Sequence, residues 1–201
     1  KNFLNPTVVD AQGLIAVPGF IDSHVHIAGA GGEGGFKTRT PEIRLKEITT
    51  AGITTVVGCL GCDGLARSLE SLLAKARGLE EEGITTYIYT GSYEIPPKSL
   101  TGDCRSDLAL IDKVIGVGEV ALADHRSSQP TFEEFVKVAA QARMGGLLSG
   151  KAGVVNVHMG DGEDKLTYLW RMVEETEIPI VQVVPTHINR NLDLFASGIE
   201  F

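Results

Sequence analysis

Cysteine is scarce in this chain: Cys59, Cys62 and Cys104 are the three among 201 residues. An odd number of scattered thiols builds no disulfide framework, so they read as reduced thiols of a cytoplasmic protein. Cys59 and Cys62 have CxxC spacing, yet they follow a strand-like run instead of opening a helix. No second CxxC exists, which argues against a redox motif or a zinc ribbon. No apolar run approaches the length needed to span a bilayer, and no signal-peptide pattern is present. Positive charge is also in short supply, with 18 Lys and Arg against 26 Asp and Glu, a net charge of -8. That balance argues against nucleic acid or an anionic membrane as the main partner. Linkers, low-complexity tracts and internal repeats are absent. The apolar fraction is 43%, that of a soluble globular protein, and the length allows one domain with a sizeable core.

What is present is a regular beat. Apolar strand-like runs fall at Leu14–Val25, Thr54–Leu60, Thr85–Thr90, Ile115–Ala123, Val154–His158 and Ile180–Thr186. Helical patterns fall between them, at Pro41–Ala51, Leu69–Glu82, Asp107–Val114, Phe132–Leu148 and Lys165–Glu175, and Leu192–Phe201 begins another. Short apolar runs joined by helices of this length predict βαβ units and a parallel sheet. About six strands are visible where a closed barrel needs eight. The sequence therefore reads as an incomplete barrel with unpaired edges, closed by the rest of the protein or by a partner. Thr7–Leu14 reads as a short strand, a turn and a strand, the tail of something earlier. Glu80-Glu81-Glu82 reads as a solvated helix end and Trp170 as core.

The chemistry starts at His24-Val25-His26. Residues two apart on a strand share a face, so both imidazoles project the same way from the end of a buried strand. Two neutral imidazoles converging there suit a zinc-type ion; the alternative is a hydrogen-bonded pair at a loop mouth. The preceding residues shift the balance toward the metal: Pro18-Gly19-Phe20-Ile21-Asp22-Ser23-His24-Val25-His26 resembles the signature that metal-dependent amidohydrolases carry on the first strand of a TIM-type (β/α)8 barrel. In such barrels the active site lies where the strands finish. His158 and His187 fall at the ends of the fifth and sixth strand-like runs, and Glu119 lies on the fourth. His24, His26, His158 and His187 are thus the expected metal ligands. Glu119 is the expected anionic bridge, because two dications about 3.5–4 Å apart repel each other. His125, past the end of its strand, reads as loop structure or support.

A narrower resemblance covers nearly the whole sequence. Gly31-Gly32-Glu33-Gly34-Gly35, Thr38-Arg39-Thr40-Pro41-Glu42, Gly91-Ser92-Tyr93, Asp124-His125-Arg126-Ser127, His158-Met159-Gly160-Asp161 and Pro185-Thr186-His187-Ile188-Asn189-Arg190 occur in the order of the isoaspartyl dipeptidases. The resemblance implies hydrolysis of β-aspartyl dipeptides by a zinc-activated hydroxide, two Zn2+ per complete polypeptide and a homo-oligomer. It implies that residues 1–17 are the remnant of an N-terminal β-sandwich and 18–201 the first part of the barrel. It further implies that Glu33 receives the substrate's α-amino group and that Arg126 and Arg190 hold its carboxylates, a task suited to arginine's planar fork. Gly31 and Cys62 belong to the same substrate set. The resemblance also implies that Tyr93 polarises the scissile carbonyl and stabilises the oxyanion.

Two departures accompany it. Well-known members bridge their zincs with a carboxylated lysine where this sequence has Glu119. The family's catalytic aspartate lies at the end of strand eight, beyond Phe201. Plainer readings remain beside these roles: a solvated loop charge for Glu33, structural ion pairs for Arg126 and Arg190, and a salt-bridged carboxylate for Glu119. The competing functions are another amidohydrolase, of the dihydroorotase or N-acyl-amino-acid deacetylase type, and an inactive barrel scaffold. The first competitor should lack the combination of Glu33, Tyr93 and Arg190, and the second should have lost metal ligands.

Overall fold

A computed structural model describes residues 7–201. Its strands are β1 (Phe20–Val25), β2 (Ile53–Gly58), β3 (Thr85–Thr90), β4 (Val114–Leu122), β5 (Val154–Met159) and β6 (Val183–Thr186). They lie in sequence order in one six-stranded sheet, and every neighbouring pair is parallel. Helices α1 (Leu45–Thr49), α2 (Leu69–Glu81), α3 (Cys104–Leu110), α4 (Phe132–Ser149) and α5 (Thr167–Glu175) fill the crossovers, and α6 (Leu192–Glu200) follows β6. An in-order parallel sheet with a helix in each crossover is TIM-type (β/α)8 topology; the described residues form a curled, open part of such a barrel.

Period-2 alternation sorts the strand side chains. Val56 and Ile88 point to the helices and join Leu72, Leu79, Leu108, Phe135, Leu169 and Met172 in the main core. Val57 and Tyr89 point the other way and pack with Cys59 in a small cluster on the inner face. Phe135 is fully buried, so its truncation to alanine is expected to cost about 3–5 kcal/mol, measured by denaturant unfolding of the full-length protein. The helix starts are written in the sequence. Ser68 and Thr131 accept from the amides of Ser71 and Glu134, while Asp103 and Asn191 accept from those of Ser106 and Leu194. These caps fix where each helix leaves its loop, and therefore where each strand-end loop lies.

Several boundaries differ from the sequence reading. The first strand begins at Phe20 rather than Leu14, where pairing to Ile53 starts. Pro18 offers no amide to a ladder, and Leu14, Ile15 and Val17 are 65–90% exposed. Nor is β1 a buried strand: Phe20 and Ile21 are exposed along the open edge. The third helix starts at Cys104, three residues before its expected start at Asp107, and Val114 already belongs to β4. Asp107 is a buried hub, accepting from Thr90 Oγ1 and from the amides of Leu100 and Thr101. Ile180–Gln182 form a 3-10 turn before β6. Glu80 is not merely solvated, because it pairs with the buried Lys113. Trp170 is half-buried, edge-on to Phe201.

Residues 1–6 of the expected sandwich remnant lie outside the described residues. Within 7–17 the turn forms, with Leu14 N donating to Ala11 O at 2.9 Å, but neither flank is paired as a strand. β1 and β6 each have one neighbour among the described residues, as expected of an open sheet. No described helix is long and apolar enough to cross a membrane.

Candidate metal centre and substrate site

The strands converge their C-terminal ends on the carboxylate of Glu119, which is fully buried near the middle of β4. Its two oxygens divide four imidazoles into pairs. Oε2 lies 3.3 Å from His24 Nε2 and 3.7 Å from His26 Nε2. Oε1 lies 2.6 Å from His158 Nδ1 and 3.0 Å from His187 Nε2. His24 is in β1 and His26 just past it, as the HxH spacing predicts. His187 follows β6 with a positive φ of 62°, a left-handed backbone rare outside glycine. The rings crowd one another, with the His158 and His187 centroids 4.5 Å apart.

The donor atoms fall into two overlapping groups, His24, His26, Cys59 and Glu119, and Glu119, His158 and His187; within each they lie within 4.8 Å of one another. His24 Nε2 and Glu119 Oε2 are buried and have no hydrogen-bond partner although they face each other. Two unpartnered lone-pair atoms buried side by side are costly without a cation. This donor set therefore fits a pair of metal ions sharing one carboxylate. Burial works to raise the Glu119 pKa, but His158 and His24 outweigh it and hold the carboxyl far below the usual range. Burial pulls His26 and His187 down and keeps them neutral, as ligands must be. His24 goes the other way: burial lowers it, and Glu119 and Asn156 overcome that.

A second ring of side chains holds the imidazoles. Asn156 Oδ1 meets His24 Nδ1 at 3.2 Å. Asp124 Oδ2 meets His158 Nε2 at 3.1 Å. Gly61 leaves room for His26, since a Cβ there would stand 2.9 Å from the His26 ring. The sequence alone assigns neither Asp124 nor Asn156 a role. For Asn156 a signal exists: it lies two residues before His158 on β5 and so shares its face. Asp124 is marked only as the first residue of the Asp124-His125-Arg126-Ser127 motif, which assigns it no role. Because it fixes the far nitrogen of His158, Asp124→Asn is expected to weaken metal affinity roughly 10–100-fold. Metal titration of the full-length variant measures this.

The expected substrate residues are also brought together. Tyr93 is buried, with its hydroxyl 2.8 Å from His158 Nδ1; burial and then the Glu119 charge push its pKa far up, so it stays a donor. Arg126 grips Asp124 with Nε and Nη2, at 2.9 and 2.7 Å, and reaches Glu33 Oε1 with Nη1 at 2.9 Å. Arg190 donates from Nε to Met159 O at 2.8 Å, and its Nη2 stands 2.9 Å from His158 Nε2. Arg126 Nη2 stands 3.0 Å from that same nitrogen. The ion-pair reading of Arg126 thus describes part of its contacts, and Glu33 is a paired charge, not a free one. The Cys62 thiol faces Glu33; burial and Glu33 push it up to about 11, and Cys62 with Arg126 lowers Glu33. Gly31, Glu33, Cys62, Tyr93 and His26 line one small cavity of about 90 Å3. His125 is exposed and outside both metal-ligand groups.

A parallel β/α half-barrel thus gathers strand-end histidines around one β4 carboxylate, the arrangement that the resemblance to the amidohydrolases implies. Comparison with known proteins narrows this. Two solved structures of the β-aspartyl dipeptidase of Fervidobacterium islandicum AW-1, one in complex with β-Asp-Leu dipeptide, share 58% identity with this protein at a TM-score of 0.90. The match covers 91% of this chain and 50% or 49% of theirs, so the sequence spans about half their length. Over that shared half the chain is similar to the isoaspartyl (β-aspartyl) dipeptidases of the amidohydrolase superfamily. A dihydroorotase of Bacillus subtilis (strain 168) is 48% identical over 52 residues, 26% of this chain and 11% of that protein. No family model matches.

Proposed function

We propose that the protein to which this sequence belongs is a zinc-dependent β-aspartyl dipeptidase. The observation that carries the reading is the single carboxylate of Glu119 shared by two imidazole pairs, beside the Glu33, Arg126 and Arg190 ring. His24 and His26 would hold one Zn2+, His158 and His187 the other, and Glu119 both. When bound, the ions lower the pKa of a coordinated water toward neutrality and polarise the amide carbonyl. In the net reaction the amide C–N bond formed by the β-carboxyl of aspartate breaks, water adds across it, and aspartate and an amino acid leave.

The protein residues do the positioning. With Nδ1 of His158 beside Glu119 given to an ion, Nε2 would carry the proton and donate to Asp124. The Nη2 groups of Arg126 and Arg190, crowded at that nitrogen, then need another acceptor, and a substrate carboxylate supplies it bidentately. Glu33 exchanges Arg126 for the substrate's ammonium. Tyr93, released from Nδ1, donates to the carbonyl oxygen as negative charge grows there. A ligand carrying both an ammonium and a carboxylate beside the amide satisfies all of these at once, which favours a free dipeptide over a long polypeptide. Residues 1–17 as the tail of a β-sandwich, 18–201 as the first part of the barrel, a cytoplasmic location and a homo-oligomer complete this reading on the strength of the resemblance.

The test is turnover by the full-length, metal-loaded protein. β-Asp-Leu is expected to be cleaved, with α-Asp-Leu essentially untouched. Comparable turnover of both isomers favours a general dipeptidase. Turnover of dihydroorotate, with β-Asp-Leu left intact, favours the dihydroorotase reading. Glu33→Gln is expected to raise KM at least as clearly as it lowers kcat, because the ammonium is bound in the ground state too.

A further inference from the structure

We infer that Arg67, which the mechanism does not use, is the positioning residue that holds Glu33 over the site. The inference rests on the reading of Glu33 as the acceptor of the substrate's ammonium. Arg67 is 8% exposed, and a guanidinium so deep usually spends its donors on carboxylates. Here only Nη1 does, on Asp63 Oδ2 at 3.1 Å. Nε donates to Ala28 O at 3.0 Å, and Nη2 to Ala30 O at 2.9 Å and Thr40 O at 3.0 Å. These carbonyls belong to the two limbs of one loop, Ala28 and Ala30 on the way out of β1 and Thr40 on the way back. The limbs are stitched at the same level, where Thr40 N donates to Ala30 O at 2.9 Å and Ala30 N to Thr40 Oγ1 at 2.7 Å.

The loop needs such a clasp. Five of the seven residues from Gly29 to Gly35 are glycine, and glycine loses more backbone freedom on ordering than any other residue. Gly29 also makes the clasp possible. Its φ is +86°, and a Cβ there would meet Thr40 O at 2.5 Å and Arg67 Nη2 at 3.0 Å. On its other side the clasp is anchored in the loop after β2. Asp63 Oδ1 accepts from the amides of Leu65 and Ala66 at 3.2 and 2.8 Å, and Asp63 Oδ2 also takes Arg39. Asp63 follows Cys62, whose thiol faces Glu33. Arg67 lies in the wall of the small cavity, and with all its placed donors spent on Asp63 and the loop carbonyls it fixes the two sides of that cavity against each other. A loop left free would offer Glu33 in many positions, and the substrate would have to order it on binding.

The test is a double-mutant cycle in the full-length, metal-loaded protein. Arg67→Met is expected to raise KM for β-Asp-Leu roughly 10–100-fold with kcat changed less than about threefold. Arg67→Lys, which keeps the charge and reaches fewer carbonyls, is expected to fall between Arg67→Met and wild type. In the Glu33→Gln background, Arg67→Met is expected to add less than about twofold to KM, because it acts through Glu33. Metal content is expected to stay unchanged, and amide exchange of residues 29–40 to quicken in both Arg67 variants. A Glu33→Gln variant with unaltered KM overturns the reading of Glu33, and this inference with it. If Glu33→Gln raises KM, the inference alone falls on any of three results: Arg67 variants with wild-type KM, a joint loss of kcat and metal, or effects that multiply with Glu33→Gln.

Discussion

Replacing Glu119 by glutamine is expected to empty the metal centre and abolish most of the activity. The change keeps the length and shape of the side chain and removes only its charge. That charge is what four imidazoles surround, at 2.6 to 3.7 Å. Two dications held at bridging distance repel strongly, and the shared carboxylate is the one anion placed between both donor groups among the described residues. Glutamine leaves that repulsion uncompensated and presents an amide N–H to one imidazole pair. Metal content is expected to fall from about two ions per polypeptide to one or fewer. Activity is expected to fall on the order of 10³-fold or more, since several kcal/mol of transition-state stabilisation depend on the ions. Elemental analysis and kcat/KM on the same preparation check both. A Glu119→Gln protein that keeps two ions and normal turnover would reduce Glu119 to a salt-bridged strand residue.

Tyr93→Phe is expected to give the second largest effect, and of a different kind. Phenylalanine keeps the buried ring and removes only the hydroxyl that stands 2.8 Å from His158 Nδ1. A donor whose hydrogen bond strengthens as the oxyanion forms acts mainly on kcat, by about 10²–10³-fold. Metal content is expected to be unaltered, since the four imidazoles and the Glu119 carboxylate that would hold the ions are all retained. Near-wild-type kcat with both ions bound would mean that Tyr93 only packs. The contrast with Glu33→Gln, where KM carries the loss, separates a group that meets developing charge from one that meets a permanent charge.

The parts of this site that are legible in the sequence are those governed by local geometry. His24 and His26 share a face because a strand repeats every two residues, and His158 and His187 stand at strand ends because the apolar runs stop there. The parallel order of the strands follows from helix-length crossovers. What cannot be read depends on segments far apart meeting in space. Asp124 gains its role from His158, 34 residues away, and Arg67 from carbonyls 27 to 39 residues away. Glu33 and Arg126, each assigned to the substrate, hold one another across 93 residues. The helix start at Cys104 escapes the sequence pattern for a related reason: Asp107 resembles a first-turn residue, but its carboxylate is consumed by Leu100, Thr101 and Thr90. The Leu14–Val17 run is apolar enough for a strand and has no ladder partner among the described residues.

Where the metal ions lie relative to Glu119 is the most direct test of a shared-carboxylate centre. A crystal structure of the zinc-replete, full-length protein, with anomalous data collected at the zinc edge, measures that position. Two peaks are predicted, one held by His24 and His26 and the other by His158 and His187, with one Glu119 oxygen on each. A single peak, no peak, or a Glu119 carboxylate turned away from the ions would contradict it.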